Sequence, residues 1–217
     1  MILILDLDNT LYPKSSGVFR MIDRRMSRYM VERLGFDAAT VDETRVRYWH
    51  EFGTTMKGLR ETIGIDEEDF LTFVHDIPVD EMIKRDPELE SALNAIDAPK
   101  YIFTNADTRH AGRVLKALGI ENCFRDVIDI RALNLAAKPD PKGYEFVEEK
   151  IGLDGDLAVF ADDFPMYLEP AKARGWKTVH VWDEAPDEIA AGGKEPYIDF
   201  TIRRIHSMPE VIAEIAR

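Results

Sequence analysis

Cysteine is almost missing from this chain. Cys123 is the only one in 217 residues, so no intrachain disulfide can form, and a reducing compartment fits. Its neighbours Phe124 and Val127 predict a buried spacer thiol and not a nucleophile. Long apolar runs are missing too. The opening Met1-Ile2-Leu3-Ile4-Leu5 meets Asp6 too early for a signal-peptide apolar region, and no later run approaches membrane-spanning length. A soluble cytoplasmic protein without a membrane partner is expected. Cations are scarce: 28 Lys+Arg face 41 Asp+Glu, a formal net charge of -13. Long-range electrostatics therefore oppose a nucleic acid polymer or an anionic membrane as partner. A small anionic substrate remains open, because a bound divalent cation reverses the local potential whatever the overall charge. Internal repeats, low-complexity tracts and Gly/Ser linkers are also absent.

What is present is an alternation. Short apolar runs rich in branched residues recur at Ile2–Leu7, Tyr101–Phe103, Val127–Ile130, Leu157–Ala161 and Thr178–Val181, with amphipathic stretches between most of them. Their near-continuous apolarity suits parallel strands covered by helices on both faces. Asp86-Pro87 and Asp140-Pro141 each place a capping acid before a proline at the first helical position, and Asp107 can cap a helix running to Leu118 before Gly119. Phe200-Thr201-Ile202 reads as a last strand, Gly192-Gly193-Lys194 as a loop and Met208–Ala216 as a closing helix. Between Tyr12 and Arg85 the alternation stops and only helical patterns remain. Phe19, Ile22, Met26, Tyr29, Met30 and Leu34 form one apolar stripe, and others run near Val41–Phe52 and Asp66–Val74. A helical insert after the first strand, hinged near Pro13 and Lys84, is the simplest reading.

Ligands of parallel open sheets bind at the carboxyl ends of the strands, and there this sequence gathers its unusual polar residues. The first strand ends in Asp6-Leu7-Asp8-Asn9-Thr10. Two acids one residue apart after a buried strand are costly to keep together unless a cation or substrate uses them. A solvated turn capped by Asp8 or Asn9 is the alternative, and the other strand ends decide between the two. Tyr101–Phe103 ends in Thr104-Asn105, a hydroxyl and an amide ahead of a helix N-terminus, able together to hold phosphate oxygens. Lys138 stands between an apolar segment and the prolines of Lys138-Pro139-Asp140-Pro141. Leu157–Ala161 ends in Asp162-Asp163, again an adjacent acid pair that is poor without a metal.

This ordered set resembles the haloacid dehalogenase-like hydrolase superfamily, with its DxDxT motif, Ser/Thr, Lys and acidic pair at successive strand ends. The resemblance implies an α/β fold: a three-layer Rossmann-like core with a parallel sheet, residues 1–13 and 84–217, plus a small helical cap domain, residues 14–83, inserted after the first strand. It implies Asp6 as nucleophile, Asp8 as general acid/base, donating to the leaving alkoxide when protonated and activating water once deprotonated, and Thr10 as support for the loop between them. Thr104 and Asn105 would bind phosphoryl oxygens, and Lys138 would hold the nucleophile and the transferred group. Mg2+ would be held by Asp6, the Asp8 carbonyl and Asp163, with Asp162 ligating it or orienting a water. The implied activity is hydrolysis of a small phosphorylated substrate through an aspartyl-phosphate, and an acid at position 8 favours phosphatase over dehalogenase chemistry.

A narrower resemblance, to the pyrimidine 5′-nucleotidase branch, rests on Asp6–Pro13, Gly53-Thr54-Thr55-Met56-Lys57-Gly58-Leu59, His75-Asp76-Ile77-Pro78, Thr104-Asn105-Ala106-Asp107 and His110-Ala111. UMP- or CMP-like substrates follow from it; sugar phosphates or phosphoglycolate are the alternative on the same scaffold, and a catalytically silent binding protein is the non-enzyme one. Relatives show a small hydroxyl residue after the acid pair and then an Asn, where this chain has Phe164 and Tyr167. Within the insert, Thr54 is expected to cap a helix and His75 to be a satisfied histidine at a helix end. The functional alternative puts the Gly53–Thr55 loop over the site, with Thr54 and Thr55 touching the nucleoside. Phe19, Met26 and Met30 are expected to pack inside the insert, and Trp49, Trp176 and Trp182 carry no assigned role.

Overall fold

Each apolar run becomes a strand because its branched side chains tolerate burial on both faces. The computed structural model describes residues 1–153, 157–183 and 190–217. Its strands are β1 (Ile2–Leu5), β2 (Lys100–Phe103), β3 (Asp126–Ile128), β4 (Ala158–Asp162), β5 (Lys177–Val181), β6 (Ala190–Ala191) and β7 (Phe200–Ile202). They form one sheet in the order β3-β2-β1-β4-β5-β7-β6, in which only the β6–β7 pairing is antiparallel. The core is therefore a six-stranded parallel sheet with a short antiparallel edge. β1 lies inside it, pairing Leu3 with Lys100 on one side and with Val159 on the other.

Alternation along β1 builds three layers. Leu3 and Leu5 belong to one apolar cluster with Leu89, Val114 and Met208, while Ile2 and Ile4 belong to the other with Tyr144, Leu168 and Trp176. On the first face lie α6 (Pro87–Asn94), α7 (Thr108–Leu118) and α10 (Met208–Ile215); on the second lie α8 (Pro141–Ile151) and α9 (Pro165–Ala173). Burial of each such Leu or Ile contributes about 2 kcal/mol. The expected caps form: Asp86, Asp107 and Asp140 accept from Leu89 N, His110 N and Lys142 N.

The segment between β1 and β2 is helical throughout, with α1 (Val18–Leu34), α2 (Val41–Phe52), α3 (Thr55–Ile63), α4 (Glu67–His75) and α5 (Val79–Met82). Val18, Ile22, Tyr29 and Met30 face the interior of this bundle, where Tyr29 meets Phe70 edge-on at 5.1 Å. The bundle touches the core through several contacts, two of which fix its ends of approach. Near α5, Arg113 of α7 donates to the carbonyls of His75 and Ile77. At the opposite end, Gly53 has φ +85°, and a Cβ there would stand 2.9 Å from Pro139 Cδ, so only glycine lets this loop press on the Lys138–Pro139 segment. Lys57 Nζ, 3.2 Å from Asp140 Oδ2, bridges the same contact.

Several sequence expectations need correction. The first apolar run outlasts its strand: β1 ends at Leu5 as read, and the turn begins at Asp8. Asp129 is not a strand residue; its carboxylate accepts from Thr108 N, Thr108 Oγ1 and Ala132 N. Cys123 is half-buried beside Asn94, not enclosed; burial, then Glu90, raises its thiol pKa, which disfavours a nucleophile. Trp176 has a structural place, packed on Tyr144 and Phe160 and donating to Glu148. Among the described residues no helix is long and apolar enough to cross a membrane.

Candidate active site

The turn after β1 is organised by Asn9, whose φ of 60° is one that asparagine tolerates better than most residues. That reversal brings Thr10 Oγ1 back to donate to Asp6 Oδ2 at 2.9 Å while accepting from Asp163 N at 3.1 Å. One hydroxyl thus couples the β1 acid to the acid pair at the end of β4. The expected support role of Thr10 has this geometry.

Lys138 is fully buried, with Nζ 2.8 Å from Asp6 Oδ1 and 2.6 Å from Asp162 Oδ2. The rings of Phe103, Phe160 and Tyr167 stand 5.1, 5.3 and 5.2 Å from Nζ. Burial alone would discharge the lysine, but Asp162 and Asp6 hold its pKa well above the ordinary value. Its backbone is held as firmly: Lys138 N donates to Asn105 Oδ1 at 2.7 Å, and Asn105 Nδ2 donates to Lys138 O at 3.0 Å. The Asn105 side chain is thereby engaged with Lys138, leaving the backbone of this turn as its means of meeting an anion. Thr104 is buried beside it and accepts from Ala106 N at 3.0 Å.

The acids outnumber the cation. Burial raises the Asp6 and Asp162 carboxyls despite Lys138, and burial with repulsion from Asp6 pushes Asp163 up to about 7. Carboxylate oxygens of Asp6, Asp162 and Asp163 all lie within 4.8 Å of one another. Both Asp162 oxygens are engaged, Oδ2 with Lys138 and Oδ1 accepting from Phe164 N at 2.8 Å. Asp163 Oδ2, by contrast, is buried with no hydrogen-bond donor; Lys14 Nζ stands 3.3 Å away as an ion-pair neighbour only. An all-oxygen set, with Asp163 Oδ2 buried and faced only by Lys14 Nζ, fits a hard divalent cation such as Mg2+.

Asp8 differs from the acid just described. Burial would raise its pKa, but His110 and Tyr12 overcome burial and lower it below the ordinary carboxylate value. Tyr12 Oη donates to Asp8 Oδ1, and His110 Nε2 lies 2.8 Å from the same oxygen. An ionised carboxylate only accepts, so Nε2 of His110 carries the hydrogen. In this environment the Asp8 carboxylate is favoured. His75 stacks on His110 with ring centroids 4.6 Å apart, and its Nδ1 is 3.3 Å from Asp107 Oδ2. Burial depresses the His75 pKa more than Asp107 restores it. His75 is thus a satisfied histidine at the end of α4. The support of Asp8 by His110 and Tyr12 escaped sequence reasoning, although His110-Ala111 was a signal available to it.

These residues open into a cavity of about 310 Å³ between core and insert, lined by Asp6, Asp8, Thr104, Asn105, Lys138 and Asp163 on one side and by Trp49, Thr54 and Thr55 on the other. Thr54 Oγ1 caps α3, accepting from Lys57 N at 3.0 Å. Phe19 and Met26, expected to be internal packing, are only half-buried and line the cavity, because α1 turns that side of its stripe toward the core. Met30 is fully buried as expected. Trp49 acquires a place, its ring 5.4 Å from Phe164 and its Nε1 donating to Tyr167 Oη at 3.4 Å. The two departures at positions 164 and 167 thus make an aromatic wall with Trp49.

The haloacid dehalogenase-like hydrolase profile matches residues 1–175. Phosphate metabolism protein 8 of Saccharomyces cerevisiae is 30% identical over 189 residues, covering 80% of this chain and 59% of that protein. Haloacetate dehalogenase H-2 of Moraxella sp. is 29% identical over 136 residues, covering 60% of this chain and 58% of that protein. The chain spans about three fifths of the length of these two curated relatives. Among solved structures, L-2-haloacid dehalogenase from Xanthobacter autotrophicus superposes with a TM-score of 0.62 at 18% identity, covering 99% of each chain. The HAD phosphatase from Thermococcus onnurineus gives 0.60 at 20% identity, covering 97% of each. At those identities the structures speak for the fold. The profile match, running from β1 past the end of α9, makes this chain a member of the haloacid dehalogenase-like hydrolases.

Proposed function

We propose that this hydrolase is a Mg2+-dependent phosphomonoesterase that works through an aspartyl-phosphate on Asp6 and prefers pyrimidine nucleoside monophosphates. The observation that carries the chemistry is Lys138 Nζ, placed between Asp6 and Asp162, whose carboxylates cluster with that of Asp163. A carboxylate approaching a phosphate dianion meets repulsion that only fixed cations offset. Bound Mg2+ would supply the remaining charge neutralisation, with Asp163 and Asp6 as ligands and Asp162 orienting them through Lys138. An Asp6 oxygen attacks phosphorus as the bond to the leaving oxygen breaks; water then attacks the acyl-phosphate and regenerates Asp6. Substrate brings negative charge beside Asp8, which favours its protonated form. Asp8 then donates to the leaving alkoxide and, as carboxylate, takes a proton from the attacking water. The yeast relative's name, which refers to phosphate metabolism, agrees with this reading, as does an acid at position 8 against dehalogenation. The lone thiol accords with a cytoplasmic setting.

Substrate preference belongs to the insert, since Lys138 and Thr104 address only the phosphoryl group. UMP and CMP are expected to exceed AMP, GMP, sugar phosphates and phosphoglycolate in kcat/KM, and a Thr54→Ala, Thr55→Ala double variant to narrow the ratio of UMP to an aryl phosphate. A substrate panel run on both proteins with Mg2+ is the test; equal rates for purines and pyrimidines would defeat the nucleotidase reading and leave the phosphatase reading intact. Asp8→Asn is expected to slow hydrolysis of nucleotides far more than that of an activated aryl phosphate, whose leaving group needs no proton. Equal losses on the two substrates would remove Asp8 as the acid.

A further inference from the structure

The cavity wall contributed by the insert is largely apolar, with Phe19, Ile22, Met26, Val46 and Trp49 among its residues, yet it contains one ion pair. Arg45 Nη1 of α2 lies 2.7 Å from Asp23 Oδ1 of α1. Arg45 Nε is buried and has no hydrogen-bond partner. An unmade hydrogen bond at a buried donor is expensive, and a charged pair in apolar surroundings gains little over a hydrophobic replacement. The pair ties α1 to α2, as Ser27 and Asp42 also do. It also faces the site, because both side chains line the cavity that reaches Asp6.

We infer that Arg45 and Asp23 form the subsite that reads the leaving group, as an adjacent donor and acceptor meeting the edge of a planar heterocycle seated by Trp49 and Phe164. A uracil ring presents the complementary pair, a carbonyl oxygen for the Arg45 guanidinium and an N3–H for the Asp23 carboxylate. Cytosine presents its ring N3 and its exocyclic amine instead. Aromatic rings stack on Trp49 and Phe164 without regard to sequence of atoms, so the ion pair supplies the edge reading that stacking lacks. Thr54, whose oxygen already serves α3, is then secondary.

This inference rests on phosphoester hydrolysis at Asp6 with a nucleotide leaving group, and the experiment separates the two. Wild type, Arg45→Gln and Asp23→Ala are assayed with Mg2+ on UMP, on 3-methyl-UMP and on ribose 5-phosphate, which carries no base. Wild type is expected to prefer UMP over 3-methyl-UMP about tenfold or more, the worth of one hydrogen bond to a charged group. Asp23→Ala is expected to abolish that discrimination, and Arg45→Gln to lower the ratio of UMP to ribose 5-phosphate by a similar factor. A structural role would instead depress all three substrates together. If wild type prefers UMP and both variants keep its ratios, the subsite is wrong while the nucleotidase stands. If wild type shows no preference among the three, base reading fails and the phosphatase stands. If no phosphoester is turned over, calorimetric titration with uridine decides: binding weakened about tenfold in Arg45→Gln upholds the subsite, and no binding to wild type overturns it.

Discussion

Asp6→Asn is expected to yield a folded protein whose steady-state turnover of phosphomonoesters falls by at least about a thousandfold, ~4 kcal/mol in the barrier. The amide is a poor nucleophile and a weak magnesium ligand. Folding survives because the amide oxygen can keep Lys138 and the amide nitrogen can face the Thr10 hydroxyl. The substitution also removes one of three crowded carboxylates, so the thermal midpoint should not drop. Steady-state rates together with a melting curve check both statements. Turnover within tenfold of wild type, about 1.4 kcal/mol, is incompatible with a covalent mechanism at this position.

Removing divalent cations comes second in size. With excess chelator, turnover is expected to fall by about a hundredfold or more, since charge neutralisation by a cation is worth several kcal/mol. Magnesium at a hundred times its dissociation constant should also stabilise the native state by about 2.7 kcal/mol, raising the melting temperature by roughly 5–10 °C. Calcium prefers more oxygen ligands at longer distance, so it should stabilise the protein while restoring little turnover. Full activity in chelator, or a melting temperature indifferent to magnesium, refutes the metal site. The melting measurement keeps this prediction independent of the choice of substrate.

The strand ends were legible because burial forces apolar runs and leaves their terminal polar residues conspicuous: Asp6, Thr104 and Asp162 each follow such a run. Lys138 was different, since a lone lysine carries no local sign of burial; only the ordered pattern marked it out. Strand β6 is two alanines, a length at which periodicity has no meaning. Arg45 and Asp23 were invisible for another reason. Each sits on an amphipathic helix where a charge reads as solvated, and only the crossing of α1 and α2 brings them together inside the cavity. The contact of His110 with Asp8 was equally out of reach, because it depends on a helix distant in sequence.

The central position of β1 governs how the protein acquires its site. Leu3 pairs with Lys100 and with Val159, partners separated from it by the whole insert and by most of the core. Neither pairing can reward the chain until a long loop has closed. During synthesis Asp6 emerges before β4, and Thr10 cannot meet Asp163 N until β4 has followed. An amino-terminal fragment ending before β4 would carry the Asp6 loop and the entire insert without the strand that completes the acid cluster. The insert can gain its own helices early through local contacts, so its helices should form before the acid cluster does.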